Sequence, residues 1–145
     1  MTKVLVVDDE MNQGRALAIG LRLEGFEVTA ALDANEALAS LALESFHVAL
    51  LDLMLPGTNG ISLARAIHAQ FPETCIVLTS AYHLTERQLL QANCGASGFV
   101  PKPYALPELA AFLRAKVARN DERVPAKSGS HPKCSPELLL QNGTK

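Results

Sequence analysis

Two kinds of apolar pattern alternate along the chain. Strand-like runs fall at about residues 3–7, 26–30, 46–51, 75–79 and 97–100. Short aliphatic runs bounded by polar residues, such as Val4–Val7 and Val48–Leu51, read as buried strands. Between the runs, apolar residues recur every three or four positions, as on one face of a helix. Residues 12–24 align Leu17, Ala18 and Leu21, and Gly25 follows as a stop signal. Residues 34–44 align Ala34, Ala37, Leu38, Leu41 and Ala42 behind Asp33, a residue suited to an N-cap. Residues 60–69 bring Ile61, Leu63 and Ala64 toward Ile67 before Phe71-Pro72 breaks the pattern. A shorter helix is predicted over 84–93, closed by Gly95. The last, over 107–118, opens with Pro107 in its first turn and carries Leu109, Phe112, Leu113 and Val117.

Five strands alternating with five helices predict an α/β fold with a parallel sheet covered on both faces. Right-handed crossovers leave few topologies. The expected architecture is a doubly wound five-stranded parallel sheet of the flavodoxin-like order 2-1-3-4-5, with five flanking helices, occupying residues 1–118. In that order the first and third strands are neighbours at the switch point. After Lys116 the pattern dissolves. Arg119 to Lys145 contains Pro125, Gly129, Pro132, Pro136 and Gly143, so 119–145 is expected to be a flexible tail or a truncated linker. Its apolar patch, Leu138-Leu139-Leu140, reads as one turn of fraying helix.

Composition narrows the setting. The 145 residues suffice for one domain with a real core. No apolar run approaches the roughly 20 residues of a membrane span. No basic segment precedes the first strand as in a signal peptide, so a cytoplasmic location is expected. Cys75, Cys94 and Cys134 lack metal-type spacing, and Cys75 and Cys94 read as small apolar residues. His47, His68, His83 and His131 show no ligand spacing either. Residues 1–118 hold 8 Lys+Arg against 12 Asp+Glu, a balance of −4, with no basic stripe. That argues against direct nucleic-acid binding by this domain. Residues 119–145 hold 5 against 3, a surplus of +2 too small to argue the reverse.

The candidate chemistry lies at strand ends. The first run ends in Asp8-Asp9-Glu10 and the third in Asp52. Adjacent parallel strands would carry these acids to one edge of the sheet. Three carboxylates that close call for a counter-cation, and a hard, oxygen-seeking one such as Mg²⁺ suits them. The fourth run ends Thr79-Ser80-Ala81 and the fifth Pro101-Lys102-Pro103. A hydroxyl and an ammonium beside an acidic cluster suit a phosphoryl group. Each residue alone has an ordinary explanation as a solvated loop acid, a strand-end hydrogen bonder or a surface lysine. Their joint placement at four strand ends is what points to a site.

On these residues the chain resembles the receiver (CheY-like) domain of bacterial two-component response regulators, across residues 3–118. The carriers are Asp8-Asp9, the run from Asp52 through Leu53-Met54-Leu55-Pro56-Gly57-Thr58-Asn59-Gly60, Ser80-Ala81 and Lys102-Pro103. The family's hydroxyl position lies 28 residues after Asp52 and 22 before Lys102, which is Ser80. Thr79 is the weaker option, since strand alternation sends it to the opposite face.

The resemblance implies a phosphoacceptor role for Asp52. Asp8, Asp9, Asp52 and the Met54 backbone carbonyl would be Mg²⁺ ligands, and Lys102 would pair with Asp52 and then with the phosphoryl group. Ser80 and Phe99 would be switch residues, while Met54 and Tyr82 would tune a slow self-dephosphorylation. The implied partners are a sensor histidine kinase or histidine phosphotransfer protein, and either a downstream protein or an output domain missing from the chain. A homodimer is a further option. The face expected to read the switch is helix 4, strand 5 and helix 5, carrying Glu86, Leu89, Leu90, Phe99, Tyr104 and Leu106. Such a module is not an enzyme acting on a separate substrate; it promotes its own phosphorylation and dephosphorylation.

Two alternatives follow. An aspartyl-phosphate hydrolase of the haloacid dehalogenase type also uses Asp, a hydroxyl, Lys and Mg²⁺. It wants Asp-x-Asp after the first strand, where this chain has adjacent Asp8-Asp9, and a cap domain for which the length is lacking. The other is the N-terminal receiver of a longer DNA-binding regulator. The 27 residues after Ala118 are too few for a helix-turn-helix unit.

Overall fold

The computed structural model of the chain describes residues 1–55, 57–81 and 85–127, with backbone alone at 58, 86, 89 and 119–127. The elements are β1 (Lys3–Val7), α1 (Met11–Leu23), β2 (Glu27–Ala31), α2 (Ala34–Leu43), β3 (Val48–Asp52), α3 (Gly60–Gln70), β4 (Cys75–Ser80), α4 (Glu86–Ala92), β5 (Gly98–Pro101) and α5 (Leu106–Lys127). The five strands form one parallel sheet in the order β2-β1-β3-β4-β5, the predicted doubly wound topology. Between β3 and α3, Met54–Leu55 pairs antiparallel with Thr58–Asn59 in a two-residue ladder that the apolar pattern does not announce.

Strand alternation divides the core in two. Leu5, Val7, Leu51, Ile76 and Leu78 pack with Leu41 of α2 and Leu63 and Ile67 of α3. Val4, Val6, Leu50 and Val77 pack on the other face with Ala18 and Leu21 of α1 and Leu109 and Leu113 of α5. β3 and β4, at the centre of the sheet, are buried along their whole length. That explains why they read as continuous apolar runs rather than alternating ones. Cys75 and Cys94 are buried among them, and the Cys75 thiol donates to Ser97 Oγ. Beside this contact the buried Lys116 ammonium donates to the Ser97 carbonyl.

Side-chain caps fix where the helices start. Glu10 accepts from the amides of Asn12 and Gln13 at the head of α1, and Asp33 accepts from Glu36 N to cap α2 as predicted. Asn59 caps α3, and Thr85 with Gln88 forms a capping box on α4.

Three features depart from the sequence-based expectation. α4 is closed by Asn93, at φ 51° in the left-handed region that asparagine tolerates, two residues before Gly95. The α5 backbone runs on to Lys127 rather than ending near Ala118. Its last core residue among the described side chains is Val117, and residues 119–124 contain no Gly or Pro to stop a helix. The loss of periodicity therefore does not mark the end of the helix. Finally, Tyr104 and Leu106 are half-buried and pack against the core half that includes α1 and α5, which the exposed-face expectation does not anticipate. Gly20 of α1 makes room for Leu106, since a Cβ there would stand 2.2 Å from Leu106 Cδ2. Among the described residues, no helix is long and apolar enough to cross a membrane.

Candidate functional site

The register of β1 on β3 sets Val7 against Leu51, so the chain leaves the sheet at Asp8 beside Asp52. Oxygens of Asp8, Asp9 and Asp52 lie within 4.8 Å of one another. Asp8 and Asp52 are buried, at 6% and 8% exposure, and Asp9 is open to solvent. Both buried carboxylates are held by their own backbone two residues on. Glu10 N donates to Asp8 Oδ1 at 2.9 Å, and Met54 N donates to Asp52 Oδ1 at 2.9 Å. The helix after Asp52 must also come close. A Cβ on Gly60 would lie 2.6 Å from the Asp52 carbonyl oxygen, so only glycine fits where α3 passes under the site.

Lys102 enters from the end of β5. Its ammonium donates to Asp52 Oδ2 at 3.0 Å and Gln13 Oε1 at 3.3 Å, and stands 3.7 Å from Asp8 Oδ2. Its amide donates to the Ser80 carbonyl at 2.9 Å, tying the end of β5 to the end of β4. The Lys102–Pro103 peptide is cis.

The electrostatics follow from crowding. Burial pushes the Asp8 carboxyl up from its ordinary 3.8; the Glu10 amide and the Lys102 charge offset part of this, while Asp52 and Asp9 add to it. Burial works against the Lys102 charge, but the hydrogen bond to Asp52 and the charges of Asp52 and Asp8 together outweigh it, so its pKa is raised above 10.5. The two partners thus move the same way for different reasons: the carboxylate is short of compensation and the ammonium has an excess of it. Tyr104 is also raised, by burial first, with Lys102 opposing. An all-oxygen donor set carrying more negative charge than one lysine balances fits a hard divalent cation such as Mg²⁺.

The structure thus gathers Asp8, Asp9, Asp52 and Lys102 at one edge. Met54 lies two residues beyond Asp52 with its side chain 60% exposed. Ser80 is the last residue of β4 and is buried. Thr79 pairs directly with Asp52 across the β3–β4 register and so shares its sheet face. Alternation on its own therefore does not favour Ser80; what distinguishes Ser80 is its place one residue nearer the carboxyl edge. The Thr79 hydroxyl is buried and has no hydrogen-bond partner among the described residues. Phe99 pairs with Leu78 and packs, half-buried, on the α2–α3 side of the sheet. Tyr82 and His83 lie outside the described residues. The site residue that the strand-end reading misses is Gln13. It stands four positions after Asp9 in the first turn of α1, and the available signal is that an i+4 side chain there reaches back over the strand end.

A doubly wound sheet with an acidic, cation-compatible crevice at the β1/β3 switch point defines a class of small α/β proteins. Comparison with known proteins narrows it. The family described as response regulator receiver domain matches residues 4–114. The DNA-binding response regulator MtrA of Mycolicibacterium paratuberculosis is 36% identical over 120 residues, 83% of this chain and 53% of its own length. Among solved structures, a CheY-like response regulator receiver domain protein from Methanospirillum hungatei superposes with a TM-score of 0.79 at 28% identity, covering 85% of this chain and 98% of that one. The response regulator TrrA of Thermotoga maritima, solved in complex with Mg²⁺-BeF, gives a TM-score of 0.71 at 28% identity, covering 80% and 99%. The chain belongs to the response regulator receiver family and is a receiver domain of two-component signalling. It spans about half the length of the curated relatives it matches.

Proposed function

We propose that Asp52 is the phosphoacceptor of this receiver and takes its phosphoryl group from a sensor histidine kinase or a histidine phosphotransfer protein. The observation that carries this reading is the Lys102 ammonium 3.0 Å from Asp52 Oδ2, on a carboxylate whose neighbours Asp8 and Asp9 complete an oxygen cluster. An Asp52 oxygen attacks phosphorus, the P–N bond of the donor phosphohistidine breaks with its electron pair leaving on the imidazole, and an acyl phosphate forms. Asp8, Asp9, Asp52 and the Met54 carbonyl are the groups that would hold Mg²⁺, which would supply positive charge against the phosphoryl oxygens.

Lys102 moves with the negative charge from the carboxylate to the phosphoryl group, and the Ser80 hydroxyl donates to a phosphoryl oxygen. Phe99 repacks as Ser80 shifts, changing the α4–β5–α5 face that a partner reads. The partner is an output domain, a downstream protein or a second copy, and the exchange takes place in the cytoplasm. Met54 and Tyr82 limit attacking water, so self-dephosphorylation is slow; a half-life of seconds would overturn that part.

A second reading, as the N-terminal receiver of a DNA-binding regulator, is supported by the relatives that carry that description and of whose length the chain covers about half. The phosphoacceptor reading is tested by incubation with Mg²⁺ and a small phosphodonor such as acetyl phosphate, followed by intact mass measurement. One added phosphoryl group is expected, lost in Asp52→Asn. No gain in the unmodified protein, or a gain that persists in Asp52→Asn, would refute it.

A further inference from the structure

We propose that Gln13 is a positioning residue that holds the Lys102 ammonium against Asp52 and Asp8, and so sets how readily that ammonium yields to a divalent cation. An ammonium has three donors and no acceptor. Around Lys102 stand three oxygens from three different elements: Asp52 Oδ2 from the end of β3 and Gln13 Oε1 from α1 accept hydrogen bonds at 3.0 and 3.3 Å, and Asp8 Oδ2 from the end of β1 stands at an ion-pair distance of 3.7 Å. Two of the three are the buried carboxylates of the cation cluster. The third is neutral and on the solvent side.

Glu10, at the head of α1, carries the charge that would ordinarily attract a lysine. Its carboxylate is already engaged, accepting from Asn12 N at 2.9 Å and Gln13 N at 3.4 Å. That same engagement fixes the first turn of α1 and therefore the point from which the Gln13 side chain reaches out. The amide can hold the ammonium without adding a fourth negative charge to the cluster, which a glutamate at this position would do.

The consequence rests on the cation reading of Asp8, Asp9 and Asp52. Lys102 and a divalent cation compete for the same carboxylate charge. An ammonium anchored on its outer side by Gln13 stays close to Asp52 and Asp8 and opposes the cation. Without the anchor it withdraws toward solvent more easily. The contact is exposed, so the effect is modest: about threefold to tenfold, the range of one hydrogen bond to a charged group at a wet site.

Two measurements on Gln13→Ala and the near-isosteric Gln13→Met test this. In calorimetric titration with Mg²⁺, both variants should bind about threefold or more tightly than the unmodified protein. In a Lys102→Ala background the same substitutions should change nothing, because the effect runs through Lys102. Where the unmodified protein binds Mg²⁺, an equal change in both backgrounds, or none in either, overturns the proposal. Independently of any cation, the acetylation rate of Lys102 by an N-hydroxysuccinimide ester, read by peptide mass spectrometry with Lys3 as internal reference, should rise by a similar factor in the variants. An unchanged rate also overturns it. If the unmodified protein takes up no Mg²⁺ while Lys102 acetylation still rises, the cation reading fails and the anchoring contact stands.

Discussion

Asp8 gives up its proton at a higher pH than an ordinary aspartate because burial disfavours its charge and two further acids stand beside it. Its folded pKa exceeds the unfolded one, so the folded state binds the extra proton and stability falls as pH rises from 3.8 through the raised value. Above that window the cost persists unless a cation relieves it. Asp8→Asn keeps the acceptor for the Glu10 amide and removes the charge. It is expected to stabilise the cation-free protein by about 1 kcal/mol at neutral pH and to abolish the stabilisation that Mg²⁺ gives the unmodified protein. Thermal unfolding with and without Mg²⁺ reads both; a lower melting temperature for the variant without Mg²⁺ would contradict the first. Lys102 has the opposite sign. Its raised pKa stabilises fully below 10.5, and the contribution is lost as pH rises through its folded value. Unfolding midpoints between pH 9 and 12 should therefore fall more steeply for the unmodified protein than for Lys102→Met. At this scale the acids and the lysine were legible because each ends an apolar run. Thr79 against Ser80 was not, because the face a strand residue takes depends on register with a neighbour far away in sequence. Gln13 was not, because its reach comes from helix geometry.

Helices here are placed by what lies at their ends. Gly60 opens α3 where a Cβ would meet the Asp52 carbonyl oxygen at 2.6 Å and Leu53 Cα at 2.7 Å, both backbone and neither able to rotate aside. Gly60→Ala is expected to cost about 2 kcal/mol in urea unfolding, as overpacking does, and to slow Asp52 phosphorylation by displacing the β3–α3 turn. Gly20→Ala offers the contrast. Its obstacle is the end of the Leu106 side chain, which has other rotamers, so the loss should be clearly smaller. Equal costs at the two sites would undo this distinction between backbone and side-chain obstruction. Strand spans were legible to within two residues because turn residues bound them. The end of α4 was not, because an asparagine served where glycine was expected. The end of α5 was not, because the apolar period stops near Val117 while the helix backbone continues to Lys127.

Among the described residues, neither half-core draws on any side chain beyond Val117. A variant ending at Ala118 is therefore expected to unfold cooperatively, with a melting temperature within a few degrees of the longer chain. A large drop would mean that residues after 118 pack against the domain. The topology was legible from alternation alone, since five buried runs and right-handed crossovers admit few arrangements. The division of the core into two was implicit in the same runs and became definite only with the register of the sheet.

That division has a consequence for the site. By alternation, Asp52 belongs to the side of the sheet that faces α1 and α5, while Ser80 and Phe99 belong to the side that faces α2 and α3. The backbone sheet separates these halves like a wall, and only at its carboxyl rim do their side chains share a space. The residue that would receive an input and the residues that would report it thus live in different rooms with one doorway. Substitutions deep in either room should add independently when combined across the wall. Those at the rim should not, because there the two halves are in conversation.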